Sequence, residues 1–192
     1  IPTVKLIGVT GALAVNNSHE DDDIDFLIVS KGGLLWTTRF IVTLFVELIG
    51  IRRHPDNKET NNKICLNMFL DENCLSIPKK ERDLFSAHEV VQMRPIWDRD
   101  DTYNQFLRAN GWVREYLPNV IRIMNYESGI RNIKKIPILP FYFLEKLLKY
   151  FQLWYMKRHR TSEVISDGII RFHPKDARIW VMRKYKQLAV EL

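Results

Sequence analysis

The sequence TGALAVNNSHEDDDIDFLIVS, residues 10–30, joins a glycine turn to an acidic strand through a polar connection. Ile24 and the residues after Asp25 are branched or aromatic, a composition that predicts a β-strand. Because side chains alternate between the two faces of a strand, Asp23 and Asp25 point the same way, about 7 Å apart along the chain. Two neighbouring carboxylates repel each other unless a cation lies between them, and Mg²⁺ prefers oxygen ligands. This strand therefore predicts a metal site.

A second apolar run, residues 4–9, predicts a strand that ends at Thr10, Gly11 and Ala12. A glycine turn between a strand and a helix exposes backbone N–H groups to an anion, and glycine lets the backbone approach that anion closely. A phosphate-binding turn next to a carboxylate pair describes a site for a metal–nucleotide complex.

The acidic run also has a structural interpretation, in which residues from His19 to Asp23 form a solvated loop. Asp25 argues against this interpretation, because it lies inside the apolar strand, where a carboxylate needs a partner. If the pair is purely structural, the chain is an interaction protein, and none of its binding reactions should depend on Mg²⁺.

The segment from about residue 4 to residue 72 resembles the signature of the DNA polymerase beta-like nucleotidyltransferase superfamily. That signature is a strand, Gly-Ser or a close variant, a short helix, a spacer of about ten residues and Asp-x-Asp on the next strand. Here it reads Gly11-Ala12 and Asp23-Ile24-Asp25. The resemblance implies two Mg²⁺ ions bridged by Asp23 and Asp25, and a nucleoside triphosphate whose β- and γ-phosphates contact the backbone at Gly11 and Ala12. It implies attack by an acceptor hydroxyl on the α-phosphate, with pyrophosphate as the leaving group.

The chain departs from the family's pattern at two positions. Ala12 stands where the family commonly has Ser, so a hydroxyl is lost while the backbone N–H remains. The third predicted strand, residues 64–70, carries Asn67 where the resemblance implies a third carboxylate. An amide can coordinate a metal through its oxygen but cannot act as a base. The alternative is that Asn67 is a buried amide whose hydrogen bonds are made by neighbouring backbone. Three alternatives stay open: Asn67 is a weak third ligand, Asp71 or Glu72 substitutes, or the site binds nucleotide without transferring it.

Two cations are further candidates for nucleotide binding. Arg39 lies within an otherwise apolar helix, predicted from Leu34 to Leu48, and a buried arginine needs an anion. A phosphate or the acidic pair would supply that anion; the alternative is a partly exposed arginine with a buried stem. Lys31, just past the acidic strand, is a candidate of the same kind.

Charge is distributed unevenly along the 192 residues, which carry a net charge of +6. Residues 1–104 hold 12 basic and 16 acidic side chains, a net charge of −4, whereas residues 105–192 hold 17 basic and 7 acidic, a net charge of +10. An acidic half joined to a basic half suits a protein that handles phosphate-bearing partners, RNA included. The alternative is a lysine-rich surface that serves solubility.

The cysteines and the apolar stretches of the sequence indicate the cellular location that we expect for the protein. Cys65 and Cys74 have a spacing that fits no zinc or redox motif, and we expect a reducing, cytoplasmic location. The apolar stretches 33–51 and 141–156 both contain charged residues, so they predict buried or half-buried helices and not membrane spans. Because the chain begins with Ile1 and not Met, an upstream segment stays an open alternative.

The patterns together predict an α/β (α+β) fold. A small mixed-sheet nucleotidyltransferase-like domain, residues 1–78, precedes an all-helical domain, residues 79–192. Residues 74–77 are predicted as a short edge strand, residues 103–116 as one helix, and a final helix begins near Pro174. On the helix 141–158, three aromatic side chains precede the basic residues 157–160, and we expect core packing with a basic C-terminal cap, not a single-stranded nucleic-acid surface. These aromatic side chains are Phe151, Trp154 and Tyr155.

The predicted function is Mg²⁺-dependent transfer of a nucleoside monophosphate to an acceptor hydroxyl on a small molecule, a protein or an RNA end. The alternative is a catalytically degenerate module that binds nucleotide or RNA. Asn67 discriminates between the two, because restoring a carboxylate there would create activity only in a degenerate site.

Overall fold

The computed structural model describes residues 1–54, 61–120, 142–157, 163–166, 168–172, 181–185 and 187. The strands are β1 (Val4–Val9), β2 (Ile24–Ser30), β3 (Ile64–Asp71), β4 (Arg94–Asp98), β5 (Glu163–Ile165) and β6 (Ile169–Phe172). The α-helices are α1 (Gly11–Ala14), α2 (Leu35–Leu48), α3 (Leu84–Gln92), α4 (Thr102–Ala109) and α5 (Tyr142–Lys157). Three 3₁₀ helices span Lys79–Glu81, Gly111–Glu115 and Pro118–Val120. Residues 181–185 are also helical.

The six strands form one mixed sheet in the order β4-β1-β2-β3-β6-β5. β2 and β3 are parallel, with α2 as the crossover between them, and the other neighbouring pairs are antiparallel. The predicted mixed α/β fold, with a small sheet followed by helices, is confirmed, as are the first three strands and α2. Gly50 ends α2 with a left-handed φ of +71°, as expected of a C-terminal glycine.

The second half of the chain is not wholly helical, contrary to expectation, because β4, β5 and β6 lie within residues 79–192. β4 was not predicted because its sequence does not alternate between apolar and polar residues and contains Pro95. Proline is typical of edge strands, and all five residues of this edge strand are exposed. Residues 74–77 form an irregular connection and not the predicted edge strand, and the predicted helix 103–116 is α4 followed by a 3₁₀ helix. Most of the predicted final helix lies outside the described residues.

Each face of the sheet has its own hydrophobic core. One face packs against α3, α4 and the 3₁₀ helix that follows α4, and we call it the α3/α4 face; the buried residues that define it include Leu6, Leu27, Val29, Leu70, Val90 and Phe106. The other packs against α2 and α5, and we call it the α2/α5 face; its buried residues include Val4, Ile28, Trp36, Val46, Phe69 and Met156. The alternation of Leu27, Ile28 and Val29 between the two cores follows from the period of two in a strand.

The N-terminus of α2 is capped by a residue from α5. Leu34, the residue before α2, offers no side-chain cap. Glu145 instead accepts hydrogen bonds from the backbone N–H groups of Trp36 and Thr37, at 2.7 Å and 2.9 Å, and from the Thr37 hydroxyl at 2.7 Å. A carboxylate at this position satisfies otherwise unpaired N–H groups and complements the helix dipole. Residues more than 100 positions apart in sequence are thereby joined.

The solvent side of α5 carries aromatic side chains. Phe151, Trp154 and Tyr155 are 50%, 57% and 55% exposed, so the expectation that they pack into the core is wrong. Residues 158–160 of the predicted basic cap lie outside the described residues. None of the helices that the structure describes is long and apolar enough to cross a membrane.

Candidate functional site

The predicted acidic pair lies at the start of β2, on the α3/α4 face of the sheet. On the neighbouring strand β3, Cys65 is the register partner of Asp25. One ligand atom from each of Asp23, Asp25 and Cys65 lies within 4.8 Å of the others. We call these three residues the Asp–Asp–Cys cluster.

A register irregularity decides which residue of β3 stands beside the pair. Asp25 is opposite Cys65, but Leu27 is opposite Met68, so β3 contributes one extra residue between these two pairs. The extra residue is characteristic of a bulge. Cys65 thus occupies the position beside Asp25, while Asn67 lines a cavity on the α3/α4 face. A bulge leaves no reliable mark in a seven-residue apolar run, and sequence reasoning missed Cys65 for that reason.

The glycine turn packs directly against the acidic pair. The Thr10 N–H donates to the backbone carbonyl of Asp25 at 2.9 Å. Gly11 has a φ of +67°, and a Cβ atom at this position would lie 2.5 Å from the Asp25 Oδ2. Only glycine fits both the backbone conformation and the space. The structure therefore brings Thr10, Gly11 and Asp25 together, with Ala12 following in α1.

The electrostatics of the cluster disfavour the ionised form of Asp25. Burial, and next the charge of Asp23, raise the pKa of Asp25 from 3.8 to about 6. The Cys65 thiol donates a hydrogen bond to Asp25 and opposes this rise. Burial and the two neighbouring carboxylates raise the pKa of the Cys65 thiol well above its usual range, which keeps the sulfur protonated in this state.

A cation that was not predicted already contacts the cluster. Arg53 forms an ion pair with Asp23, and its Nη1 lies 3.9 Å from the Cys65 Sγ. Arg53 reaches the cluster because its N–H donates to the Ile64 carbonyl at 2.9 Å, which extends the pairing at the start of β3. The polar run 52–62 gave no periodic signal that would single out one of its cations.

The two predicted cations lie elsewhere. Arg39 belongs to α2, on the opposite face of the sheet, and donates a hydrogen bond to Gln152 of α5. The ion pair considered for Arg39 is made by Arg53 instead. Lys31 follows the last residue of β2, so the five strand residues 26–30 separate it from Asp25, which places the two roughly 20 Å apart along the strand.

The two carboxylates considered as substitutes at the end of β3 are also remote. Asp71 pairs in register with Ser30, at the opposite end of β2 from Asp25. Its carboxylate accepts the Gly33 N–H at 2.6 Å, and Glu72 accepts the Gly32 N–H at 2.8 Å. Both residues therefore lie too far from the acidic pair to supply its third carboxylate, and that alternative is wrong.

The cavity that Asn67 lines also contains polar groups from several other elements. Thr10 precedes the glycine turn, Ser86 and Glu89 belong to α3, and Arg171 belongs to β6. Arg171 forms an ion pair with Glu81 at 2.6 Å. The remaining lining is apolar and consists of Leu27, Met68, Ile77, Phe85, Val90 and Phe106. A largely apolar cavity with a few convergent polar groups has the composition of a small-molecule site.

The donor set of the cluster fits a divalent cation in part. Asp23 and Asp25 supply the carboxylate oxygens by which Mg²⁺ is usually held together with substrate phosphates. A Cβ atom on residue 11 would meet the Asp25 carboxylate, so glycine at this position keeps the backbone of the turn against the acidic pair. Within the described ranges, the third member of the cluster is a thiol and not the carboxylate that the resemblance implied.

The chain matches none of the known protein families and none of the curated proteins. The solved structures that resemble part of it include two toxin-antitoxin structures. A crystal structure of a toxin-antitoxin with AMP-PNP is 13% identical, with a TM-score of 0.31, and the match covers 65% of this chain and 86% of that chain. A mutant of the toxin-antitoxin MntA-HpeT is 11% identical, with a TM-score of 0.30 and the same two coverages, 65% and 86%. TM-scores this low establish neither a shared fold nor a shared function.

Proposed function

We propose that the protein is a Mg²⁺-dependent nucleotidyltransferase, which moves a nucleoside monophosphate from a nucleoside triphosphate to an acceptor hydroxyl. The observation that carries the proposal is the contact between the glycine turn and the acidic pair. Gly11 lies so close to the Asp25 carboxylate that a Cβ atom would be 2.5 Å from it. The backbone that would bind phosphate thus lies directly against a carboxylate that would bind a cation.

Each part of the site has a chemical role in this proposal. Asp23 and Asp25 would hold Mg²⁺, which would polarise the phosphoryl oxygens and offset the charge of the leaving pyrophosphate. The N–H groups of Gly11 and Ala12 would donate to phosphate oxygens. The cavity beside Thr10 and Asn67 would receive a part of the substrate that lies beyond the phosphates.

Thermal unfolding tests the proposal. We would heat the native protein and the Asp23→Asn/Asp25→Asn double variant with each of the four nucleoside triphosphates, with and without Mg²⁺. A ligand at about 100 times its dissociation constant stabilises a protein by about 2.7 kcal/mol, which raises the Tm by several degrees at this size. The expected result is a Mg²⁺-dependent rise that the double variant lacks and that an Asp21→Asn variant, altered at an exposed carboxylate of the same loop, retains. No rise with any nucleotide would contradict the proposal.

Release of pyrophosphate then separates transfer from binding. We would follow pyrophosphate and the label of an α-phosphate-labelled nucleotide with candidate acceptors of three classes: small hydroxyl compounds, protein and RNA. Label that moves to an acceptor with matching release of pyrophosphate supports transfer.

A catalytically degenerate nucleotide-binding module is the second candidate. The observation that favours it is the absence of a carboxylate from the part of β3 near the pair: the Cys65 thiol lies beside Asp25, and Asn67, where the resemblance implied the third carboxylate, lines the cavity. If this candidate is correct, the native protein shows the Mg²⁺-dependent rise in Tm without release of pyrophosphate. Cys65→Asp should then create activity, and Asn67→Asp tests the position that the sequence indicated.

A further inference from the structure

We infer that Cys65 makes the Asp–Asp–Cys cluster selective for a thiophilic divalent cation, with Zn²⁺ as the representative, over Mg²⁺. The inference rests on the proposed function only in placing a cation at Asp23 and Asp25. It departs from that proposal in the identity of the metal, because Cys65 would make Zn²⁺, and not Mg²⁺, the ion that the cluster binds most tightly.

The geometry brings the three side chains within reach of one ion. Asp25 and Cys65 are direct neighbours on adjacent parallel strands, so their backbones are held about 4.8 Å apart. Tetrahedral Zn²⁺ with the usual Zn–S and Zn–O bond lengths separates sulfur from oxygen by about 3.6 Å. The ligand atoms lie within 4.8 Å of one another, so movements of about 1 Å in the side chains would complete the coordination.

The chemistry of the donor set favours a cation softer than Mg²⁺. Mg²⁺ takes hard oxygen ligands in octahedral geometry, and a thiolate contributes little to its binding. Zn²⁺ accepts thiolate sulfur together with carboxylate oxygen, and its catalytic sites use three protein ligands and leave one position open. Two carboxylates and one thiol are such a set, and the open position would be available to a phosphate oxygen or water. Coordination replaces the S–H bond of Cys65 by a metal–sulfur bond, and the proton passes to solvent.

Arg53 shows that the cluster already accommodates one cationic group. Its guanidinium forms an ion pair with Asp23, and its Nη1 also lies 3.9 Å from the Cys65 Sγ. One cationic group thus contacts both an oxygen and the sulfur of the cluster. The Arg53 side chain is 34% exposed, so it can move into solvent when a metal ion takes its place. Arg53 therefore competes with the metal.

Absorption spectroscopy with Co²⁺, a probe for Zn²⁺ sites, tests the inference on the full chain. We would add Co²⁺ to metal-free native protein and record the thiolate-to-metal charge-transfer band in the near ultraviolet, then displace Co²⁺ with Zn²⁺ or Mg²⁺. The expected result is a band that Zn²⁺ removes at low concentration and Mg²⁺ does not. Cys65→Ser should lose the band and weaken Zn²⁺ binding by at least the 10–100-fold that loss of an outer-shell partner costs. Cys74→Ser, altered at the exposed second cysteine, should keep both.

Two further variants sharpen the test. Cys65→Asp should lose the band and bind Mg²⁺ more tightly than the native protein, because it restores a third oxygen ligand. Arg53→Gln should bind Co²⁺ more tightly, whereas Arg52→Gln, which alters a neighbouring arginine paired with Glu47, should not. A native Co²⁺ complex without the band, or a band that survives Cys65→Ser, would overturn the inference.

The outcomes separate this inference from the proposed function. A Mg²⁺-dependent rise in Tm with nucleotide, together with no charge-transfer band, leaves the proposed function standing and rejects the role of Cys65. A band that depends on Cys65, together with no effect of nucleotide in the presence of either metal, establishes the metal site and rejects nucleotidyl transfer.

Discussion

Asp25→Asn should stabilise the metal-free protein at neutral pH. The folded structure raises the pKa of Asp25 from 3.8 to about 6, first through burial and next through the charge of Asp23. Between these two pH values the folded state binds more protons than the unfolded state, so the free energy of unfolding falls as the pH rises. Above about pH 6 the full cost of ionising Asp25 in the folded protein lowers the free energy of unfolding. At about 1.4 kcal/mol for each tenfold change in the ionisation constant, this cost amounts to about 3 kcal/mol as an upper estimate.

Urea unfolding between pH 4 and pH 8, in buffer that contains a chelator, measures this effect. We expect Asp25→Asn and the native protein to have similar free energies of unfolding near pH 4. At pH 7.5 the variant should be the more stable by up to about 3 kcal/mol. Glu20→Gln, at an exposed carboxylate of the same loop, should change the free energy of unfolding by less than about 0.5 kcal/mol at either pH.

The refuting result is a variant whose free energy of unfolding follows the native pH dependence between pH 4 and pH 7. That result would mean that Asp25 ionises in the folded protein as it does in the unfolded chain. The electrostatic strain assigned to the cluster would then be absent, and with it one physical reason for a cation to bind there.

Three further changes test other parts of the structure. Gly11→Ala should destabilise the protein by about 1–3 kcal/mol and abolish the nucleotide-dependent rise in Tm, because residue 11 has a left-handed φ and its Cβ would meet Asp25. The control is Gly33→Ala, at a φ of +71° with open space around it, where the free energy of unfolding should fall only by the cost of the strained backbone. Glu145→Ala should lower the free energy of unfolding by about 1–3 kcal/mol in chemical denaturation, because the cap of α2 is lost, and an equal stability would show that the cap contributes nothing. Trp154→Ala, at a side chain that is 57% exposed, should change the free energy of unfolding by less than about 0.5 kcal/mol in urea denaturation, and a larger loss would show that this side chain contributes to packing.

The parts of the fold that sequence patterns predicted are those encoded by local periodicity. β2 alternates between the two cores, and α2 has apolar residues around most of its circumference and ends before a glycine. The glycine turn and the acidic pair follow from residue types whose chemistry does not depend on distant contacts. For these reasons Gly11, Asp23 and Asp25 were found together from the sequence alone.

The parts that were missed depend on contacts between distant residues. Cys65 stands beside Asp25 only because a bulge shifts the register of β3, and Asn67 is displaced into the cavity by the same shift. Arg53 reaches Asp23 because the chain after α2 pairs with the start of β3. β4 depends on its pairing with β1, since all five of its residues are exposed.

The order of the strands in the sheet also sets the order in which the protein can be completed during translation. The strands β1, β2 and β3, of which β2 and β3 carry the cluster, are synthesised first, but β4 covers the outer edge of β1, and β6 covers the outer edge of β3. Until residue 172 leaves the ribosome, one edge of β3 is unpaired. The N-terminus of α2 lacks its cap until Glu145 has been synthesised. At about 5–20 residues per second, synthesis of residues 79–172 takes roughly 5–20 s. During that time the nascent chain presents an unpaired strand edge, the feature by which incomplete sheets associate with other chains.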